Sequence, residues 1–442
     1  MRTVQAAATD KHTRKPHTNV RWKIGILMWL AISINYLDRA NLSAASGDIM
    51  KALNINNAEM GIVMSAFFWS YMVFQIPSGW LADKVGHRIS MALAVGWWSI
   101  STALTGLAHG FGSLIGLRML LGVGEAGAAP SNSGIAARWF PDRERGRISA
   151  FYDTGTKVGT AIAMPLIVWI ISHWGWQASF AASGTLGIVW VLIWIWYYND
   201  PEKQKYVSKE ELHYIRSGQK KQDGLDKEQP MKWYQLLKFR NVWAICFGFF
   251  ALNYSIFFFI TWFPNYLEQE RGMAAMSMGF TAMIPPLAGI VGELIGGWVT
   301  DYLYFTRGKS ITFSRKFNLV LGMLVGTVIL FAGLTKSTAI SVALLSLSYA
   351  GLAFAAPALW SIPGDMAPKN MSSTLGGIEN TASNIGGVLS PIITGFVVSA
   401  TGSFVSALIV SGLVTLLGAI AFAFWLGKIE PLTLKKHDVA KA

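Results

Sequence analysis

Six charged side chains lie inside segments of this chain that are otherwise apolar and long enough to cross a membrane. They are Asp38, Arg39, Arg118, Glu125, Lys157 and Glu379. A charge within a bilayer is costly unless it faces a partner or a polar cavity. Arginine binds a carboxylate through two parallel hydrogen bonds, and a carboxyl group removed from water holds a proton more readily. We therefore expect these residues to line a polar pathway for an anion and for protons.

Two of these charges are adjacent in sequence, and two others share a helix face. Arg118 and Glu125 are spaced by about two helical turns. Arg39 lies roughly 24 Å into its segment from one end, and Arg118 lies a few residues into its own segment from the other end, so both guanidinium groups reach a similar level. Both arginines are candidate ligands for the anion, and Asp38 and Glu125 are the candidate proton carriers. A second interpretation makes Asp38 and Arg39 a mutually neutralising structural pair.

The composition is that of a membrane protein. Hydrophobic residues make up 52% of the 442 residues and charged residues only 14%, a hydrophobic share above that of ordinary soluble domains. Twelve apolar runs, each reaching the roughly 20 residues that span a hydrocarbon core, predict an all-α integral membrane fold with transmembrane helices α1 to α12. In chain order they cover about 23–46, 58–79, 89–108, 111–135, 148–172, 177–198, 241–266, 275–299, 317–335, 338–360, 372–400 and 402–427.

The distribution of the net charge of +13 argues against nucleic-acid binding. Most Lys and Arg residues fall in the two tails and in the loops on the same side as both termini. Lys51, Arg271 and Lys336 are the exceptions on the opposite side. Positive charge collects on the cytoplasmic side of membrane proteins. We therefore predict a multi-pass protein of the inner membrane with both termini in the cytoplasm.

The longest polar stretch divides the helices into two sets of six. We predict a cytoplasmic N-terminal tail (1–22), a six-helix lobe (23–198), a cytoplasmic linker (199–240), a second six-helix lobe (241–427) and a cytoplasmic C-terminal tail (428–442). Within the linker, the segment 208–215 is typical of a short capped amphipathic helix.

Internal repetition supports this division. Gly79-Trp-Leu-Ala-Asp83 after α2 recurs as Gly297-Trp-Val-Thr-Asp301 after α8. Two six-helix halves in parallel repeat are a known transporter plan, in which the substrate binds near the midplane between the halves.

Several motifs resemble those of one family. The turn Gly79-Trp-Leu-Ala-Asp-Lys-Val-Gly-His-Arg88 resembles the cytoplasmic signature loop of the major facilitator superfamily. The motifs that narrow the resemblance are Asn35-Tyr-Leu-Asp-Arg-Ala-Asn-Leu-Ser43, Arg118-x-x-x-Gly-x-Gly-Glu125, Trp139-Phe-Pro-Asp-Arg-Glu-Arg-Gly146 and Thr261-Trp-Phe-Pro-Asn-Tyr-Leu267. From α1 to α12 the chain is similar to the anion:cation symporter family, and within it to bacterial permeases for sugar acids such as galactonate, glucarate and hexuronates.

The resemblance implies roles for residues of the first lobe. In the family, the matching acids of α1 and α4, here Asp38 and Glu125, are the protonation sites. The matching arginine of α1, here Arg39, holds the substrate carboxylate. Tyr36 and Tyr71 match positions that hydrogen-bond the substrate.

In the second lobe, Asn380 of α11 matches a further polar contact to the substrate. Trp262 in α7, Trp360 in α10 and the neighbouring Ser361 are additional candidates for lining the cavity. The α2–α3 signature loop has a structural and gating role in the superfamily, which implies that role for Asp83 and Arg88, and for Asp301 in its repeat.

Three residues depart from the family pattern and leave the particular substrate open. Thr156 stands where many relatives carry Gln, and it is followed by an extra cation, Lys157. Glu379 occupies a position that is usually apolar or an amide. We treat all three as candidate substrate contacts.

A further acid, Glu293 in α8, suggests a partner for Lys157 in α5. Counted from the cytoplasmic mouths of their helices, Lys157 lies roughly 15 Å deep and Glu293 roughly 12 Å deep. In the superfamily, α5 and α8 face each other across the boundary between the lobes. We expect the pair to form a gate latch that holds the cytoplasmic halves together and separates when they part. In the competing interpretation, Lys157 contacts the substrate.

The combined interpretation is a secondary transporter that imports a sugar acid with protons by alternating access. One alternative is symport of another small organic carboxylate such as phthalate or tartrate, and another is a membrane sensor that binds the anion without carrying it. We expect no enzyme activity, no metal site and no cofactor beyond the proton as coupling ion. The expected partners are a small organic anion and the lipid bilayer, not nucleic acid, and the expected state is a monomer.

Overall fold

The computed structural model describes residues 18–219, 233–368 and 371–432. Most of both predicted tails, and linker residues 220–232, lie outside the described residues. Within those ranges the secondary structure is helical, without a strand.

Twelve helical units of membrane-spanning length follow one another in the described part of the chain, as the sequence predicts. They are α1 (Val20–Leu53), α2 (Asn57–Val85), α3 (His87–Thr105), α4 (Phe111–Glu125 and Ala128–Trp139), α5 (Asp142–Trp174), α6 (Trp176–Tyr197), α7 (Arg240–Thr261, Phe263–Asn265 and Tyr266–Glu270), α8 (Ala275–Ala282, Ile284–Asp301 and Tyr302–Thr306), α9 (Ile311–Gly326 and Ile329–Ala332), α10 (Thr338–Met366), α11 (Ser372–Thr401) and α12 (Phe404–Ile420 and Ala421–Trp425).

Nine of these units are long and apolar enough, by length and composition alone, to cross a membrane. The other three described units are α1, α3 and α4. Of these, α1 holds Asp38 and Arg39, and α4 holds Arg118 and is interrupted just after Glu125. The helices with Lys157, Glu293 and Glu379, which are α5, α8 and α11, are among the nine.

The helices form two lobes of six. In the first lobe α1 packs on α5 and α6, and α3 packs on α4 and α6; in the second, α8 and α9 pack on α10, and α7 packs on α11 and α12. The lobes meet where α2 packs on α11, α5 on α8 and α1 on α7. This is the predicted division into two six-helix lobes.

We name the end of the bundle where α1 begins and α12 ends the terminal face, and the opposite end the far face. The lobes are joined near the far face, where Lys51 Nζ lies 3.2 Å from Glu268 Oε1 and Ser43 Oγ donates to the Thr261 carbonyl at 2.6 Å. Contact between α2 and α11 reaches past mid-depth, to the hydrogen bond between Asn380 and Gln75. Towards the terminal face, the described parts of α4 and α10 make at most marginal contact. The lobes are thus closed at the far face, and their packing is weakest at the terminal face.

Two glycines fix the register between α1 and α5. A Cβ on Gly155 would lie 2.8 Å from the carbonyl oxygen of Trp29, and one on Gly159 would lie 2.5 Å from that of Ser33. Both helices begin at the terminal face, so they run parallel, and position 155 is level with position 29. Larger side chains at these glycines would push the two helices apart.

The predicted linker helix is present as Lys209–Ser217, and Ser208 caps it by accepting a hydrogen bond from the Glu211 amide. A buried ion network fixes it to the first lobe. Arg21 Nη1 lies 2.9 Å from Glu211 Oε1 and Arg21 Nε lies 3.0 Å from Glu144 Oε2. The Tyr214 hydroxyl donates to Glu144 at 2.6 Å. The linker helix therefore belongs to the terminal face of the first lobe.

Candidate functional site

Arg39 and Glu125 form an ion pair inside the first lobe, with Arg39 Nε 2.8 Å from Glu125 Oε2. The Arg39 side chain is 9% exposed and that of Glu125 is fully buried. The guanidinium group also lies against three aromatic rings, at 4.9 Å from the centre of Tyr36, 4.6 Å from Phe67 and 5.2 Å from Tyr71. Ring faces attract cations, so the aromatic residues position Arg39 while its carboxylate partner remains exchangeable.

Asp38 points away from its neighbour Arg39. It is 1% exposed. Its side chain lies near Thr102 of α3 and near the charges of Arg118 and Glu125 in α4. By strict hydrogen-bond geometry neither of its carboxylate oxygens has a partner among the described residues, and the Thr102 hydroxyl is a neighbouring polar group just outside that geometry. The alternative of a mutually neutralising Asp38–Arg39 pair is therefore not what the structure forms, because successive helical residues diverge by about 100°. A buried carboxyl group without a partner is far less costly when it carries a proton.

Arg118 shares the Phe67 ring with Arg39, its guanidinium lying 5.4 Å from the ring centre. It is 4% exposed, and its Nε makes no hydrogen bond to a described atom. Both arginines line a small cavity that also includes Met64 from α2 and Thr261 from α7. The two predicted anion ligands thus reach one space at the boundary between the lobes.

Lys157 lies between two acids. Its Nζ is 2.6 Å from Glu293 Oε2 across the lobe boundary and 3.2 Å from Asp153 Oδ2 one turn earlier in α5. The hydroxyl of Thr156 lies 3.5 Å from the same nitrogen, and Tyr349 of α10 lies within range of its charge. The predicted proximity of Lys157 and Glu293 is what the structure shows.

Both residues lie deeper than counting from the predicted helix mouths suggested. Lys157 lies at the middle of the 33-residue α5, and Glu293 lies near the middle of α8, where the two helices pack on each other. Separation of the pair when the terminal halves part, and a gating role for it, stay predictions.

The second lobe contributes two neighbouring polar residues of α11. Asn380 Nδ2 donates to Gln75 Oε1 of α2 at 3.4 Å, a second polar link between the lobes. Glu379 is fully buried, and its oxygens make no hydrogen bond to a described atom. It faces Cys246 of α7. Substrate contact by Asn380 and Glu379 stays a prediction.

The other predicted cavity residues of the second lobe differ in exposure. Trp262 is fully buried, and its indole N–H donates to the Pro391 carbonyl at 3.1 Å, so it holds α7 against α11. Trp360 is 57% exposed and packs edge-to-face on Phe249. Ser361 donates to the Pro357 carbonyl of its own helix at 2.7 Å. Of the two tryptophans, only Trp360 has surface free for a ligand.

The predicted gating residues of the signature loops lie at the terminal face. Arg88 Nη1 donates to Asn199 Oδ1 at 2.9 Å, and Arg88 also bonds the Ile195 carbonyl, so it ties the start of α3 to the end of α6. Asp83 and Asp301 are exposed at the ends of α2 and α8. Arg88 therefore bridges two helix ends, and the gating role of Asp83, Arg88 and Asp301 stays a prediction.

Four residues of this site were not predicted from the sequence, namely Phe67, Gln75, Asp153 and Tyr349. Asp153 had a readable signal, because it precedes Lys157 by one helical turn, the spacing of a stabilising ion pair. Phe67, Gln75 and Tyr349 had none, since an aromatic ring or amide in an apolar helix gives no sign of the direction it faces.

The model of the family described as the Major Facilitator Superfamily matches residues 28–391. The chain belongs to that superfamily. It is therefore a transporter and not an enzyme, and a multi-pass membrane protein.

Among its relatives, this transporter is 39% identical to a D-galactonate transporter of Escherichia coli O6:H1 over 92% of this chain and 95% of the relative. It is 36% identical to a probable galactarate/D-glucarate transporter of Bacillus subtilis over 95% of both chains. A crystal structure of a bacterial homologue of the human lysosomal transporter Spinster superposes with a TM-score of 0.74, at 17% identity over 92% of this chain and 96% of the other. The predicted fold and the predicted likeness to sugar-acid permeases are confirmed.

Proposed function

We propose that this transporter imports a sugar acid together with protons by alternating access. The observation that carries the proposal is the buried ion pair between Arg39 and Glu125. It joins a cation suited to binding a carboxylate to an acid suited to taking up a proton, at the boundary between two lobes.

In the proposed mechanism the substrate carboxylate displaces Glu125 from the Arg39 guanidinium group. Glu125 is fully buried, and an unpaired buried carboxylate is strongly unfavourable. A proton on Glu125 removes that cost. Substrate binding and protonation therefore favour each other, and this mutual coupling is what symport requires.

Asp38 extends the route of the proton. It is buried beside Glu125 and Arg118 and lacks a hydrogen-bonding partner of strict geometry among the described residues. Two acids that influence each other titrate as a pair. We assign the two carboxyl groups jointly to proton coupling, with Arg39 as the substrate ligand and Arg118 as a second positive charge in the same cavity.

The relatives support the substrate class. Two of them are named for galactonate and for galactarate or glucarate, which are linear polyhydroxy acids. A carboxylate would occupy Arg39, and its hydroxyl groups need hydrogen-bonding partners. We assign Tyr36, Tyr71 and Asn380 as these partners.

Alternating access accounts for the two faces of the bundle. The far face is closed by contacts such as Lys51–Glu268, and the packing of the lobes is weakest at the terminal face. With both termini in the cytoplasm, as the positive charge distribution predicts, this is the conformation that releases substrate into the cell. The return step requires the terminal halves to meet and the far contacts to break.

Uptake into proteoliposomes tests the proposal. Purified protein is reconstituted, and uptake of galactonate, galactarate, glucuronate, phthalate and tartrate is measured with and without an inward proton gradient. We expect accumulation of the sugar acids that requires the gradient. Accumulation of phthalate or tartrate alone would move the substrate to the other organic carboxylates, and binding without any uptake would favour an anion sensor.

A further inference from the structure

A second cation lies at the lobe boundary, in an arrangement like that of Arg39. Lys157 of the first lobe is held by Glu293 of the second lobe at 2.6 Å. Its side chain is 16% exposed and that of Glu293 is 30% exposed, so this pair is more accessible than the Arg39–Glu125 pair. Each pair joins a cation to a carboxylate that another carboxylate can replace.

Lys157 also has a second acid that keeps it charged and in place. Asp153 Oδ2 lies 3.2 Å from its Nζ, one helical turn away. If another carboxylate replaces Glu293, Lys157 therefore keeps one counterion, and its ammonium group is not left unpaired. An ammonium group has three donors, which is enough for Asp153 and an incoming carboxylate together.

Tyrosines connect the two cations. Tyr36 lies 4.9 Å from the Arg39 guanidinium and also within range of the charge of Lys157. Tyr349, from the second lobe, faces Lys157 as well. A ligand that extends from Arg39 to Lys157 would pass these hydroxyl groups, which suits a chain with hydroxyl groups along its length.

The register between α1 and α5 sets the spacing of the cations. Gly155 is level with Trp29 and Gly159 with Ser33, so Lys157 is level with position 31. Arg39 lies eight residues further along α1, about 12 Å along the helix axis. This axial component of the separation is similar to the reach of an extended six-carbon dicarboxylate, which is about 6 Å of carbon chain plus a charge-assisted hydrogen bond of about 2.8 Å at each end.

We infer that Lys157 is a second carboxylate subsite, and that the transporter takes linear six-carbon dicarboxylates with one carboxylate on Arg39 and the other on Lys157. In the loaded site, the distal carboxylate replaces Glu293 as the partner of Lys157, and Asp153 remains in place. The inference rests on the proposed function and narrows it to the aldarate class. The rival account makes Lys157–Glu293 only a fixed contact about which the lobes rock.

Galactonate and galactarate form a matched pair of probes, because they differ only at carbon six, a hydroxymethyl group in one and a carboxylate in the other. Binding of both is measured by calorimetry on purified full-length protein. In Lys157→Met we expect galactarate affinity to fall tenfold or more, as for loss of one charged contact, and galactonate affinity to stay within about threefold. Equal losses for both acids, or no loss for either, would overturn the subsite.

Glu293→Gln separates the subsite from the rocking contact. It removes the competing carboxylate and leaves Lys157 paired with Asp153, so we expect galactarate to bind several-fold more tightly and galactonate to bind as before. Weaker binding of both acids would support the rocking contact and overturn the subsite.

Binding to the wild-type protein distinguishes failure of the Lys157 subsite from failure of the proposed function. Binding of galactonate without galactarate would end the subsite and leave the proposed function standing. Binding of neither acid, nor of glucuronate, would end the proposed function itself. Arg39→Lys serves as the reference variant, since it should weaken galactonate and galactarate alike.

Discussion

Arg39 and Glu125, 86 residues apart in sequence, form a buried ion pair between α1 and α4, and the adjacent Asp38 is turned away from it towards Thr102. One arginine therefore holds one of two neighbouring acids. An anion that displaces Glu125 from this arginine would leave a fully buried carboxylate without its partner. In the proposed mechanism, the coupling between anion and proton follows from that exchange.

Replacing Glu125 with Gln should uncouple transport from protons. The amide keeps the size and hydrogen bonding of the side chain but has no proton to lose, so Glu125→Gln should still bind galactonate. Counterflow exchange, which needs no net proton movement, should survive better than uptake driven by a gradient. Glu430→Gln, an exposed acid near the C-terminus, is the control. Accumulation by Glu125→Gln at the wild-type rate would remove Glu125 from the coupling mechanism.

Arg39→Lys should severely weaken substrate binding, because a single ammonium group does not reproduce the two-pronged contact of a guanidinium group. Loss of a charged pair in a dry cavity costs about 2–5 kcal/mol, which is tenfold to several-thousandfold in affinity. Dissociation constants measured by calorimetry give the size of the effect. Arg138→Lys, at a 43%-exposed surface ion pair with Asp200, should change nothing. An unchanged constant in Arg39→Lys would place the carboxylate elsewhere, first on Arg118.

Much of this protein could be predicted from its sequence, because apolar length and charge type are properties of single segments. The twelve helices, the two lobes and the buried charges of α1 and α4 all follow from such properties. Pairing does not follow from them. Helical spacing indicates that Arg118 and Glu125 share a face, but the rotation of α1 against α4 decides that Glu125 meets Arg39.

The contact between Lys157 and Glu293 could be predicted from the sequence, but its dependence on the conformation of the transporter could not. Lys157 and Glu293 were expected to meet because they carry opposite charges at similar depth on facing helices, and they do. Whether they separate during transport depends on how the two lobes move against each other, which no local sequence pattern contains. Trp262 shows the same limit, since an aromatic residue suits helix packing as well as a cavity wall.

Lys51→Gln should shift the balance of conformations towards opening at the far face. The Lys51–Glu268 pair joins the lobes there, but its side chains are 73% and 33% exposed. Exposed pairs contribute about 0.2–1 kcal/mol, so we expect at most about a fivefold change in population. The rate at which a membrane-impermeant thiol reagent labels Ser43→Cys, in a Cys246→Ala background, reports that opening. Lys336→Gln, an exposed lysine of the same face, should leave the rate unchanged, and a rate lower in Lys51→Gln than in the parent would contradict the assignment of this pair.

Glu211→Gln should destabilise the docking of the linker helix. Glu211 is fully buried and accepts hydrogen bonds from the backbone amides of Val20 and Arg21 as well as from the Arg21 side chain. Breaking a buried ion pair costs about 3–5 kcal/mol, and Glu144 should offset part of this as the remaining partner of Arg21. Thermal unfolding in detergent should show a clear fall in melting temperature. Glu202→Gln, in an exposed ion pair with Arg216 of the same region, should have little effect, and equal shifts in both variants would rule out a special role for the buried network.

The most direct test of the account is the simultaneous measurement of proton and galactonate entry into proteoliposomes that contain the wild-type protein and an internal pH dye. The account predicts that adding galactonate, with no gradient imposed, acidifies the interior in proportion to the galactonate taken up, and that Glu125→Gln abolishes the acidification. Galactonate entry with no acidification in the wild type would contradict proton coupling through the Arg39–Glu125 pair.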